Sequence, residues 1–223
     1  LGPELVARAA ADGYTLMIVS ASFAVNPSVY PKLPYDTLKD FAPILQATTQ
    51  SQVLAVHPQV SARNVKEFVA LARAKPGALN YSSPGDGTLS QLAFEIFKMA
   101  AGVNIVHIPY KGAGASATAL LAGEVQASTG STITMSPHVA SGRLRALASS
   151  GQRRSPALPE VPTMTEQGLP EASINGWYAF LAPARTPRAI VDKLNGEISR
   201  ILQMQQVRDT LAREGSEPAA GTP

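Results

Sequence analysis

Short apolar runs of strand length alternate with stretches of helical periodicity along most of this chain. Residues 14–20 (YTLMIVS) form an apolar run between Asp12-Gly13 and a polar Ser/Ala/Asn loop, the pattern of a strand buried on both faces. A loop rich in Pro and Tyr, 26–43, leads to two extended runs, 44–46 and 53–56. From Asn64 to Ala74, the residues Val65, Phe68, Val69 and Ala72 share one helical face, and Pro76-Gly77 stops the helix. A short strand at 79–82 precedes a glycine-rich loop and a helix from about Thr88, whose buried face carries Leu89, Leu92, Phe94, Ile96 and Phe97. The same patterns predict strands at 103–108, 125–129, 144–149 and 174–181, and helices at 116–121 and 135–140. A last helix is predicted after Thr186-Pro187, a capping hydroxyl followed by proline in the first turn.

Strand, loop and helix in repeated order imply an α/β fold: a mostly parallel sheet covered by helices. Ligands of such sheets sit beyond the carboxyl ends of the strands, where loops enter helix N-termini. Three polar loops qualify. In the first, Ser82, Ser83, Gly85, Gly87 and Thr88, the glycines allow close backbone approach and the next helix offers free N–H groups to an anion. Its bland alternative is a plain turn with Thr88 or Ser90 as helix cap. The second, Tyr110, Lys111 and Gly112, adds one cation, which either meets a ligand or is an ordinary salt-bridging surface residue. The third, Ser20, Ala21 and Ser22, completes a site or simply caps a helix. Trp177, beside Tyr178 on a late strand, is either core or a flat wall for an organic ligand.

The second loop also carries Gly112-x-Gly114-x-x-Ala117, a form of the dinucleotide fingerprint. That chemistry requires an acidic residue about 20 positions on. The chain offers Ser128, Thr129, Ser131 and Thr132 there, so no nicotinamide cofactor is expected.

Composition narrows the classes further. At 223 residues, 45% hydrophobic and 16% charged, the chain can bury a core as one large domain or two lobes. A net charge of +3 with scattered Lys and Arg gives no basic stripe for nucleic acid. The absence of cysteine removes disulfides and thiolate chemistry. No run approaches the roughly 20 apolar residues of a membrane span. His57, His107 and His138 are scattered, and no nucleophile–base pair or metal-ligand spacing accompanies them. Neither an enzyme nor a metal or cofactor site is therefore expected. Both ends, Leu1-Gly2-Pro3-Glu4 and Gly221-Thr222-Pro223, have the look of a mature or trimmed chain.

Taken together, several ordered motifs resemble one family. They are Asp12-Gly13-Tyr14-Thr15-Leu16, Asn26-Pro27, Leu33-Pro34-Tyr35-Asp36 with Asp40-Phe41, and Tyr81-Ser82-Ser83-x-Gly85-x-Gly87. Pro109-Tyr110-Lys111-Gly112, Leu158-Pro159-Glu160-Val161-Pro162-Thr163 with Glu166 and Gly168, and Trp177 with Ala182-Pro183-Ala184 and Thr186-Pro187 continue them. The sequence resembles the Bug-type extracytoplasmic solute receptors of tripartite tricarboxylate transporters. The resemblance implies a type II periplasmic-binding-protein fold, two α/β lobes with a ligand cleft: 1–50 with 175–223, and 51–174. It further implies a periplasmic receptor that takes a small carboxylate, closes on it, and passes it to the permease subunits of the transporter, without membrane insertion. By the same resemblance, Ser82–Thr88 is the clamp of the second lobe, with Tyr110-Lys111-Gly112 beside it, and Ser20–Ser22 belongs to the first. The family's opening strand and P-x-G-G-x-x-D loop have no counterpart here. A carboxylate-binding sensory or effector domain, or an NAD(P)-type enzyme, are the alternatives.

Overall fold

The computed structural model describes residues 2–223. In chain order its first elements are α1 (Gly2–Ala7), β1 (Met17–Ser20), α2 (Ser22–Val29), β2 (Phe41–Val56), α3 (Val65–Ala74) and β3 (Asn80–Ser83). Then follow α4 (Leu89–Ala101), β4 (Val106–Pro109), α5 (Ala113–Ala122), β5 (Ala127–Ser131), α6 (Thr132–Ala140) and β6 (Arg145–Ser149). The chain ends with β7 (Asn175–Pro183), α7 (Arg188–Leu202), α8 (Gln205–Arg213) and β8 (Ser216–Pro218). It divides into two compact units. Unit 1 comprises 1–49, 176–212 and 216–223, and unit 2 comprises 50–175 and 213–215.

The runs at 44–46 and 53–56 belong to one 16-residue strand, β2, rather than two. The polar stretch Thr48–Gln52 reads as a break in sequence, yet Thr48, Ser51 and Gln52 are buried and the strand continues through them. In unit 2, the second half of β2 lies antiparallel to both β5 and β6, while β3 runs parallel to β4 and to β5. The sheet is therefore mixed, where a mostly parallel one was expected.

Successive residues of β2 serve opposite faces of that sheet. Leu54 and Val56 join Phe68, Tyr81, Phe94 and Phe97 on one side. Val53 and Ala55 join Leu120, Val125, Met135 and Leu144 on the other. A run with both faces buried has to be apolar throughout, and this one is. Helix α3 is started by Asn64, whose side chain accepts the Glu67 N–H at 2.9 Å, while the Glu67 carboxylate accepts the Arg63 N–H at 2.8 Å. That reciprocal cap fixes the register that buries Val65, Phe68 and Ala72.

In unit 1, β1 and β7 pair antiparallel, Met17 opposite Leu181 and Ser20 opposite Tyr178. Ile44, Leu45 and Ala182 pack with Val191 and Leu202 of α7. Phe23, Phe41, Val19 and Leu181 form a second cluster. Thr186 does not cap α7; its hydroxyl donates back to the Pro183 carbonyl at 2.8 Å, and Pro187 takes the cap position. Among the described residues, no helix is long and apolar enough to cross a membrane.

Candidate functional site

Because β3, β4 and β5 are parallel, their carboxyl ends (Ser83, Pro109, Ser131) lie on one edge of the unit 2 sheet. Each of these strands leads into a helix: α4 of 13 residues, α5 of 10 and α6 of 9. Three positive helix ends therefore serve one sheet edge. Neither α5 nor α6 has a side-chain cap, so the first-turn amides of Ala113–Ala115 and Thr132–Thr134 have no intrahelical partner. At α4 the Thr88 hydroxyl accepts only the Gln91 N–H, at 3.4 Å, which leaves Leu89 and Ser90.

The structure joins the two glycine loops. Tyr110 N–H donates to the Ser83 carbonyl and Gly112 N–H to the Pro84 carbonyl, both at 3.0 Å. Gly85 has φ +136°, a backbone that side-chain-bearing residues rarely adopt, and it faces the Tyr110 carbonyl oxygen. Gly87 has φ +72°, a backbone that side-chain-bearing residues rarely adopt. The N–H groups of these two glycines are already committed: Gly85 to Ser83 Oγ at 3.2 Å, Gly87 to Gln91 Oε1 at 2.6 Å. Their part is to shape the loop. The amides left over belong to the helices behind it, at residues such as Ala113–Ala115 that carry no side-chain signal of a site.

Beneath the loops the hydroxyls point inward. Ser82 is fully buried; its Oγ donates to the Ser116 carbonyl at 3.1 Å and accepts from Ser116 Oγ at 2.9 Å. Ser128 Oγ donates to the Ser82 carbonyl at 2.9 Å, Ser90 Oγ to Gln52 Oε1 at 3.0 Å, and Thr129 Oγ1 to the Ser90 carbonyl. Ser83 is equally buried and bonds His107 Nε2 at 2.7 Å, while both Ser83 Oγ and Thr88 Oγ1 donate to the Gly85 carbonyl. These side chains hold the edge rigid and are not free to meet a ligand. Tyr110 is half-buried, and its hydroxyl donates to Glu124 at 3.3 Å; burial and then the Glu124 carboxylate push the phenol up from its usual range. Lys111 is exposed and forms no ion pair among the described residues.

Below β3 lies a second polar group. Tyr81 stacks on Phe94 with ring centroids 3.8 Å apart and on His107 at 4.8 Å. Its hydroxyl donates to Glu95 at 2.6 Å, and Lys98 reaches the same carboxylate at 2.8 Å. Burial, then the Glu95 contact, keeps the Tyr81 phenol protonated far above its ordinary range. Burial alone would raise Glu95, but hydrogen bonds from Lys98 and Tyr81 and the Lys98 charge outweigh it and hold the carboxyl below its usual value. Burial lowers His107, against the opposing charges of Asp86 and Glu95.

Unit 1 carries the remaining candidates. The end of β1 enters α2 at once: Ala21 is the cap residue, its N–H donates to the Trp177 carbonyl at 3.1 Å, and it offers no capping side chain. Ser20 and Ser22 flank it, half-buried. Trp177 is half-buried and lines a cavity of about 400 Å³ with Val19, Phe23, Phe41, Leu45 and Leu181. That wall is mostly apolar, with Thr37, Gln46 and Thr222 as its polar members.

Known proteins share this arrangement of elements. The model of the tripartite tricarboxylate transporter family receptor matches residues 1–222. BugT of Bordetella pertussis (strain Tohama I) is 36% identical over 225 residues, covering 100% of this chain and 69% of BugT. Rpa4515 of R. palustris, solved with adipate, superposes with a TM-score of 0.91 at 30% identity, over 99% of this chain and 74% of that one. MatC (Rpa3494) from Rhodopseudomonas palustris, with bound malate, gives 0.85 at 29%, over 97% of this chain and 74% of that one. The mixed α/β architecture is the one those proteins have, and this chain belongs to the tripartite tricarboxylate transporter receptor family.

Proposed function

We propose that this protein is a periplasmic receptor that captures a small carboxylate at the helix-bearing edge of unit 2 and hands it, unchanged, to the permease subunits of a tripartite tricarboxylate transporter. The observation that carries this reading is the set of first-turn amides of α4, α5 and α6 on one sheet edge, uncapped at α5 and α6. Such amides favour a carboxylate without a buried cation. Lys111, exposed next to the start of α5, adds attraction at longer range. In unit 1, Ser20, Ala21 and Ser22 lead into the start of α2, where the Ala21 N–H is committed to the Trp177 carbonyl, and Trp177 presents a flat, largely apolar wall. The adipate and malate held by two relatives support the class of ligand.

The test is thermal melting against a panel of mono-, di-, tricarboxylic and aromatic acids. A ligand at about 100 times its dissociation constant adds roughly 2.7 kcal/mol. For a chain of this size that raises the midpoint by roughly 5–10 °C. A shift with one subset of acids, with the compound recovered intact, is expected. No shift with any acid, or consumption of the acid, contradicts the proposal.

A further inference from the structure

The hydrogen bonds around the Ser83–Thr88 loop fix the state of one histidine. Gly87 N–H donates to Gln91 Oε1 at 2.6 Å, so the other end of that amide, Nε2, faces His107 Nδ1 at 3.4 Å. A donor on Gln91 requires an acceptor on His107, so Nδ1 carries no proton and Nε2 does. Nε2–H then donates to Ser83 Oγ at 2.7 Å. Ser83 Oγ in turn donates to the Gly85 carbonyl at 3.1 Å and accepts the Gly85 N–H at 3.2 Å. One neutral imidazole thus connects to Gly85 through Ser83 and to Gly87 through Gln91.

The surroundings hold a second arrangement. The charged and titratable groups facing the ring are Asp86 on the loop, Glu95 and Lys98 on α4, and the stacked Tyr81 phenol on β3. Asp86 Oδ1 stands 3.6 Å from Nδ1, and it also accepts from Gln91 Nε2 at 3.4 Å. A proton on Nδ1 would set two donors, His107 and Gln91, against each other and turn the ring toward Asp86.

We propose that His107 is the positioning residue of the ligand loop: in its neutral form it holds Gly85 through Ser83 and Gly87 through Gln91, and protonation at Nδ1 exchanges Gln91 for Asp86 and releases the Gly87 end of the loop, while Nε2–H keeps its bond to Ser83. Partial burial of the ring among these groups favours the neutral form. The consequence for ligand binding rests on the receptor reading; the loop device does not.

The test follows individual amides by NMR hydrogen exchange, corrected for the intrinsic pH dependence, on either side of the His107 midpoint read from its own imidazole resonance. In the wild type, protection of Gly87 is expected to fall roughly three- to tenfold as the ring gains its proton, the scale of one lost hydrogen bond, while that of Gly85 holds. H107Q, which keeps a donor for Ser83 and cannot ionise, is expected to show no such step. Affinity for malate and adipate is expected to fall by the same factor across the step in the wild type alone. A step that persists in H107Q, no step in the wild type, or a neutral ring with its proton on Nδ1 overturns the proposal. A step in a protein that binds neither acid leaves the loop device standing and removes only the receptor reading.

Discussion

At the end of β3, in unit 2, the chain turns through two glycines of positive φ, and the hydroxyls of Ser82, Ser83 and Thr88 are all bonded within the protein. At the end of β1, in unit 1, it passes through Ala21 straight into α2, over a cavity walled by Phe23, Phe41 and Trp177. Both ends present helix amides, but different forces hold them. The unit 2 edge depends on a hydrogen-bond network, where losing one partner strands another. The unit 1 edge depends on aromatic packing, with Phe41 edge-on to Phe23 at 5.4 Å and to Tyr35 at 5.8 Å. Substitutions in unit 1 should therefore read almost wholly in stability, and those in unit 2 in affinity and pH dependence as well.

The largest effect should come from the apolar side. Phe41→Ala removes a ring 6% exposed at the centre of that aromatic group and is expected to cost about 3–5 kcal/mol of stability by chemical denaturation. A loss below about 1 kcal/mol would show that packing does not hold this edge. Next is Gly87→Val, which forces a β-branched residue to φ +72°. About 1–3 kcal/mol of backbone strain should appear chiefly as weaker binding of malate or adipate, up to roughly a hundredfold by calorimetry. Unchanged affinity would break the assignment of this loop.

Ser83→Ala strands the His107 and Gly85 donors at a fully buried position, with an expected cost of about 1–3 kcal/mol, readable as a lower melting midpoint. Acidification should act more gently. Burial holds the His107 imidazole below its ordinary value of 6.5, so just under that pH the unfolded chain binds more protons than the folded one. Stability is then complete above 6.5 and declines as pH falls through the window beneath it. Glu95, also lowered, adds a second decline below about 4.5. In H107Q the upper decline should vanish and the lower one remain; an unchanged profile would contradict the assignment. The smallest effect belongs to Lys111→Ala, a loss of up to about 1 kcal/mol in affinity that fades with added salt.

Much of the fold was legible because periodicity records burial. The run 53–56 is apolar throughout because β2 has a packed face on each side, and the α3 face appeared residue by residue. What escaped was structure that periodicity does not mark. Thr48–Gln52 looked like a break because the partners of its polar residues are distant in sequence: Ser51 bonds Thr132 of α6, and Gln52 bonds Ser90 of α4 and Ser150. Helix α8 has no buried residue to announce it. Helix α6 starts at Thr132, earlier than expected, because Thr132, Ile133 and Thr134 are β-branched and favour strand by propensity.

The site divides in the same way. Gly85, Gly87 and Gly112 were visible because positive φ calls for glycine. Ser82 and Ser83 were visible as polar residues, but sequence alone could not show that they face inward. His107 looked like an edge histidine because its role depends on the β3–β4 register, which sets it beside Tyr81 and within reach of a serine 24 residues away. The free amides of Ala113–Ala115 left no trace, since a backbone donor has no side chain to read.

A carboxylate seated on the helix amides at the unit 2 edge should be visible in an amide-resolved NMR titration with malate, adipate and citrate. Saturable shifts are expected to concentrate at Leu89, Ser90, Ala113–Ala115 and Thr132–Thr134 with at least one of these acids. Saturable binding that leaves those amides unmoved, or no binding of any of the three, would contradict this placement of the ligand.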